Sequence, residues 1–287
     1  AGIRLAYDMA EKHFVKGGIN RVILATDGDM NVGTSSKSAL VELVQDKAKS
    51  GVFLSVLGFG RGNLKDATME AIANKGNGNY AYIDSLKEAR KVLSDQFGGT
   101  LITIAKDVKI QVEFNPKSVA GYRLIGYENR RLAAQDFNDD TKDAGELGAG
   151  HNVTALYELV PHGVDVPSAS VDALKYQRSA QLSDSAPADE LLTLKLRYKQ
   201  AQGTRSNLVV HTLKNEGLER SSSRAFRWAS AVAAFGMLLR DSPHRANTSW
   251  QAMIDIASDA LGDDPLGHRM EMIVLAKEAK RLAERTP

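Results

Sequence analysis

Three short apolar runs, separated by stretches of helical periodicity, constrain the first third of this chain more than any other feature. The runs are Val22–Ala25 within Arg21–Thr26, Val52–Leu57 and Tyr80–Ile83. Ile3, Tyr7, Ala10 and Phe14 fall at helical spacing before the first run, and Gly17-Gly18 is expected to stop that helix. Ser36 is a candidate N-cap for a second helix through Leu40, Val41, Leu43, Val44 and Ala48, ending at Gly51. A third helix is expected over 64–74 and a fourth from Ser85 to Phe97. Strands joined by such helices imply right-handed crossovers and a parallel sheet. Apolar runs without alternation suit strands covered on both faces. Residues 1–97 therefore read as an open parallel α/β sheet. Three strands are few for such a sheet, and its earlier strands are expected upstream of Ala1.

The pattern changes after Gly98-Gly99. Val108–Phe114 and Leu192–Tyr198 alternate strictly between apolar and polar residues. Tyr122–Ile125, Val153–Leu159 and Leu208–Leu213 are further strand candidates. Alternation is the habit of antiparallel sheets with one wet face, so 98–215 reads as an antiparallel β-sandwich. Residues 161–190 carry Pro161, Pro167 and Pro187 among many Ser and Asp residues and read as a long surface connection. Residues 216–287 read as a C-terminal helical segment packing on the sandwich. Its stripes run through Phe226, Trp228, Val232, Phe235 and Leu239, then Trp250–Leu261, then Met272–Ala283, with Asp264-Pro265 as the expected start of the last helix.

Composition narrows the function classes. The 287 residues hold 37 Lys and Arg against 35 Asp and Glu, a formal charge of +2, so a polybasic nucleic-acid binder is excluded. There is no cysteine, which excludes disulfides, Cys-ligated metal and a thiol nucleophile. No apolar run approaches the ~18 residues of a membrane span.

The most informative stretch for chemistry is Val22–Gly33. An acidic residue directly after a buried parallel strand, here Asp27, stands at the carboxyl edge of the sheet, where ligands of open α/β sheets bind. A carboxylate there is a hard oxygen ligand suited to Mg²⁺. The loop Gly58–Asn63 leaves the next strand at the same edge. Thr26, Gly28, Asp29, Gly60 and Arg61 are the candidate rim. The plainer alternative is a turn at Asp27-Gly28 with Asp29 capping the segment after it.

Leu24-Ala25-Thr26-Asp27-Gly28, with the helices around it and Gly51–Gly60 after it, resembles the later half of a von Willebrand factor type A domain. Ala120–Arg130, Asp136–Asp140 and Gly236–Ser242 extend the resemblance to bacterial YfbK-type proteins, in which such a domain precedes a C-terminal module. It covers nearly the whole chain. The resemblance implies a metal-ion-dependent adhesion site of three loops, with Asp27 in the third-loop position. It also implies Mg²⁺ or another divalent cation in the complete protein, a protein ligand presenting a carboxylate, and, loosely, the bacterial cell envelope or periplasm. The Asp-x-Ser-x-Ser of the first loop is absent, and the chain begins past the second-loop Thr. The expectation is therefore an incomplete site with no metal, or weakly held metal, in a C-terminal part of a longer polypeptide. A partial sheet of this kind would expose apolar faces and an unpaired edge, to be covered by its own N-terminal fragment or by another chain.

The resulting functional reading is a non-enzymatic interaction module. Two alternatives stand beside it: a phosphoryl-transfer enzyme with Asp27 as aspartyl nucleophile, and a purely structural envelope protein. Asp27 and Asp29 have the spacing of aspartyl phosphatases, but Asn31 stands where those place Thr or Val. The acidic stretch Asp136–Glu146 reads as a solvated hairpin tip, with calcium binding as the alternative; it departs from an EF-hand loop at Thr141 and Leu147. Gly58-x-Gly60-x-Gly62 reads as a tight turn, not a dinucleotide loop, because Asn63 replaces the third glycine. The six histidines are scattered without HExxH spacing.

Overall fold

The computed structural model describes residues 2–27, 37–60, 65–96, 98–99, 102–164, 187, 189–215 and 222–285. The first strands and helices follow the expected order: α1 (Gly2–Lys12), β1 (Arg21–Thr26), α2 (Lys37–Ala48), β2 (Phe53–Phe59), α3 (Asp66–Lys75), β3 (Tyr80–Ile83) and α4 (Leu86–Arg90). The three strands form one sheet in the order β1-β2-β3, parallel throughout. On one face, Val22, Leu24, Leu54, Val56 and Tyr80 meet Tyr7 of α1, Val44 of α2 and Met69, Ile72 and Ala73 of α3. On the other, Leu57, Phe59 and Ile83 meet Ala89 and Val92. Period-two alternation along β2 thus feeds two cores. Burying one of these aliphatic side chains is worth about 1.5–3 kcal/mol.

Two helix boundaries differ from expectation for local reasons. α1 ends at Lys12, not near Phe14–Lys16. The Asn20 side chain accepts from Val15 N–H and donates to the Val15 carbonyl, each at 2.9 Å, and so folds 15–20 into a separate turn. The fourth helix is capped by Ser85, whose hydroxyl accepts from Glu88 N–H at 3.2 Å, but it changes to a π turn over Lys91–Asp95. That turn includes Val92, one of the residues packed under the sheet.

The turn into β3 is held tightly. Gly76 O accepts from Leu54 N–H and Asn79 O from Val56 N–H, at 2.8 and 2.9 Å. A Cβ on Gly78 would stand 2.0 Å from the Leu54 carbonyl oxygen, a backbone atom that cannot step aside. Gly78→Ala is therefore expected to destabilise the chain by about 1–3 kcal/mol in urea unfolding, as overpacking does.

β1 has no strand on its outer side among the described residues. Ile23 is 46 % exposed there, and Leu5 and Met9 of α1 are also exposed.

The middle of the chain forms β4 (Thr103–Phe114), β5 (Val119–Ile125), β6 (Gly145–Gly148), β7 (Leu156–Pro161), β8 (Glu190–Gln200) and β9 (Ser206–Lys214). They make a four-stranded sheet, β6-β4-β8-β9, and a two-stranded one, β5-β7. The β4–β6 and β5–β7 pairs are antiparallel. The C-terminal stripes form α5 (Arg224–Leu239), α6 (Trp250–Asp259) and α7 (His268–Ala283), packed through Ala231, Leu238, Met253, Ile254, Ala257, Ile273 and Ala276. Ser223 and Ser249 cap α5 and α6 through their hydroxyls. α7 starts at His268, three residues after Pro265, with Gly267 left-handed at φ 70°. Asp264 reaches the helix from outside, accepting from Met270 N–H at 2.9 Å.

The chain divides into two compact units. One comprises Ala1–Gln111, Leu132–Asn152 and Lys195–Val210; the other comprises Val112–Arg131, Val153–Leu194 and His211–Pro287. No described helix is long and apolar enough to cross a membrane.

Candidate functional site

The register of the parallel sheet sets its ligand edge. Thr26, Gly58 and Tyr82 lie side by side at the carboxyl ends of β1, β2 and β3. Asp27 is the next residue after β1 and is exposed. Gly60 leaves β2 at the same edge with φ 89°, a left-handed conformation that favours glycine. A Cβ on Gly60 would stand 4.0 Å from that of Asp27, so the two loops adjoin. The Tyr82 hydroxyl donates to the Gly60 carbonyl at 2.7 Å and fixes the rim from the third strand. Gly28, Asp29 and Arg61, the other expected rim residues, lie outside the described residues, as do Asn31, Ser36, Gly62 and Asn63.

A divalent cation would need more than this edge brings. Mg²⁺ demands an octahedron of oxygens and dehydrates reluctantly. Asp27 offers one carboxylate and Thr26 one hydroxyl. Among the described residues no three His, Cys, Asp or Glu side chains are grouped so as to hold a metal ion. The described donors alone do not fit the ion.

Much of the acidic stretch 136–146 is exposed, as a solvated tip would be, but its backbone also meets two buried lysines. Lys109 and Lys199 are 3 % and 8 % exposed and send their ammonium groups into it. Lys109 Nζ donates to the carbonyls of Asp136 and Asp139 at 3.2 and 2.5 Å. Lys199 Nζ donates to the Asp140 carbonyl and to Asp107 Oδ2, both at 2.7 Å. Two ammonium groups thus hold three backbone carbonyls of the stretch. Hydrogen bonds from Ser206 hold the Asp140 carboxyl below its ordinary range.

Glu146 lies deeper in the same unit. Both its carboxylate oxygens are buried without a hydrogen-bond partner. Burial, then the charges of Asp107 and Asp143, push its pKa up to about 8, against the pull of Lys106 and Arg21. Arg21 gives its Nη1 to Ser55 Oγ at 2.7 Å, and its Nε is buried unpaired. Burial lowers the Arg21 pKa, while Glu146 pulls it back up. Burial likewise raises Asp143, although Lys75 stands 3.7 Å away. A cavity of about 250 Å³ lined by Lys75, Asp107, Asp140, Asp143 and Lys199 opens beside the lysine pair.

Sequence reasoning missed this charge cluster. Strict alternation assigns Lys109 to the wet face of its strand and Ile110 to the buried one. The structure does the reverse: Lys109 is buried and Ile110 is 46 % exposed. The loop 136–140 covers Lys109 and satisfies its charge, which no pattern within β4 encodes. The usable signal was the pairing of lysines in β4 and β8 with an acidic loop lying between those strands in sequence.

In the second unit, two segments singled out in the sequence come together. Arg240, at the C-cap of α5, pairs with Glu128 at 3.1 Å. With Arg123, Met237, Ser242 and His244 they line a cavity of about 350 Å³.

A family model described as "Uncharacterized protein YfbK, C-terminal" matches residues 99–282. The chain belongs to this family. The resemblance to YfbK-type proteins therefore holds, and the segments at 120–130, 136–140 and 236–242 all lie in the matched range. The chain is 47 % identical over 279 residues to "Uncharacterized protein YfbK" of Escherichia coli (strain K12). That match takes in 97 % of this chain and 48 % of the relative, so the chain spans about half the relative's length. Among solved structures, it is similar to a von Willebrand factor type A protein from Catenulispora acidiphila (12 % identity, TM-score 0.41), covering 94 % of this chain and 68 % of that one. It is also similar to the ArnB paralog VWA2 from Sulfolobus acidocaldarius (13 % identity, TM-score 0.33), covering 91 % and 56 %.

Proposed function

We propose that this YfbK-family chain is part of a non-enzymatic protein-interaction module, in which the strand edge at Asp27 meets a protein ligand bearing a carboxylate. The observation that supports the reading is the placement of an exposed Asp27 directly after β1, adjoining Gly60 on a rim pinned by Tyr82. In the complete protein Asp27 would be one oxygen ligand of Mg²⁺ or another divalent cation. The remaining ligands would come from outside the described residues, since the described donors do not suffice. A cation held there would accept the ligand's carboxylate in an open position.

The test uses the full-length polypeptide carrying this region, titrated with Mn²⁺ and Mg²⁺ by calorimetry. Asp27→Ala is expected to weaken cation binding at least about tenfold, the loss of about 1.4 kcal/mol, without shifting the melting temperature measured with EDTA. Equal cation affinity in the two proteins would overturn the metal role of Asp27. Turnover of a phosphate ester that disappears in Asp27→Ala would overturn the non-enzymatic reading in favour of an aspartyl nucleophile.

A further inference from the structure

The two outer strands of the four-stranded sheet are protected very differently. β6 is four residues long, and its pairing with β4 shifts register between Thr103, Ala105 and Val108. Short length and irregular pairing are two ordinary ways of blunting a sheet edge. β9, at the other side, is not protected by short length. It runs nine residues, Ser206–Lys214, and every residue after Ser206 is exposed. No Lys, Arg, Asp, Glu or Pro occurs from Ser206 to Leu213. Leu208, Val209, Val210 and Leu213 are 48, 49, 54 and 46 % exposed. Because successive side chains point to opposite faces, both faces of this edge carry half-exposed apolar groups.

Among the described residues no strand pairs with the outer side of β9, and an apolar edge of this length is a template for another strand. A second copy of the chain is a poor occupant. The four apolar side chains offer a small area, and a pair of β9 strands in separate molecules would have to reach the ~1,000 Å² that a stable interface clears. A strand belonging to the same polypeptide faces no such threshold, because linkage supplies an effective concentration in the millimolar range. Such polypeptide exists in the family: the Escherichia coli relative extends beyond the match by about as much again. We infer that β9 is completed by β-strand addition from polypeptide outside this chain. The added strand is an extended segment with apolar side chains on both faces, flanking Leu208 and Val210 on one side and Val209 and Leu213 on the other. This inference is independent of Asp27 and of any cation.

Hydrogen exchange read by mass spectrometry tests it, comparing this chain alone, the full-length Escherichia coli relative, and this chain mixed with the part of the relative outside the match. The amides of β9 in the isolated chain are expected to exchange fast. The corresponding segment of the full-length relative, at concentrations where sedimentation shows a monomer, is expected to exchange at least about tenfold more slowly. The mixture is expected to slow β9 as well, and Val209→Lys/Val210→Lys is expected to abolish that slowing while leaving the isolated chain's thermal melt unchanged, since both side chains are already exposed. Equal exchange in the isolated chain and the monomeric relative overturns the inference. So does protection that appears in the isolated chain as its own concentration rises, which would assign β9 to self-association.

Discussion

Lys199→Ala is expected to destabilise the chain by about 3–5 kcal/mol, because it removes one partner of a buried ion pair and leaves the other charged and dry. The side chains of Lys199 and Asp107 are 10 % and 17 % exposed, and their contact is 2.7 Å. Asp107 has one other described partner, Ala144 N–H at 3.2 Å on Oδ1. With Lys199 gone, its Oδ2 loses the ammonium and the Asp140 carbonyl loses its donor. The neighbouring Asp143 makes the loss worse, since its carboxylate and that of Asp107 repel one another. The double variant Asp107→Asn/Lys199→Met removes both charges and keeps the volume, so it is expected to recover at least half of the loss. Urea unfolding of the three proteins measures the cycle. A single-variant loss under ~1 kcal/mol would mean the pair is solvated like a surface bridge, and the clamp on the acidic loop would have to be abandoned.

Glu146→Gln is expected to raise stability at neutral pH and to flatten its dependence on pH. The sign follows from linkage. An unfolded glutamate titrates near its ordinary value of 4.5, whereas Glu146 in the folded chain titrates at about 8. Between these values the folded state binds the proton that the unfolded state has released, so stability falls as pH rises. The stabilising effect of holding the neutral acid is complete below about pH 4.5 and is gone above about pH 8. Over the whole window the change is on the order of 5 kcal/mol at 1.36 kcal/mol per pKa unit. Glutamine keeps the shape of the neutral acid and cannot ionise. Melting temperatures from pH 5 to pH 9 should therefore fall for the parent and fall less for the variant. Identical slopes would show that Glu146 is hydrated or paired with Arg21 in solution.

Much of the first unit was legible in the sequence because its strands are apolar runs with helices between them. Burial on both faces leaves such a strand little freedom of assignment: β2 appears within two residues of its expected bounds, and β3 appears at them. The helix ends were less legible. They depend on single side chains, Asn20 and Ser85 among them, that compete for backbone groups. The antiparallel strands were found except β6, which lies partly in the stretch read as a hairpin tip, but the buried face of β4 was not, since alternation suggests which residues share a side and not what covers that side.

The candidate edge divides in the same way. Asp27 follows its strand in sequence, so its position at the carboxyl end could be read from the order of residues alone. Its closeness to Gly60, and the grip of Tyr82 on that loop, required the strands to be in register. The lysine-held acidic loop could not be anticipated from local pattern at all. Its members come from β4, the loop and β8, separated by up to 92 positions, and a buried ammonium is tolerable only when distant carbonyls and a carboxylate meet it. Local order and periodicity therefore determined which segments became strands and helices. Tertiary structure alone decided which charges were buried together, because desolvation is set by what packs over a residue and not by its neighbours along the chain.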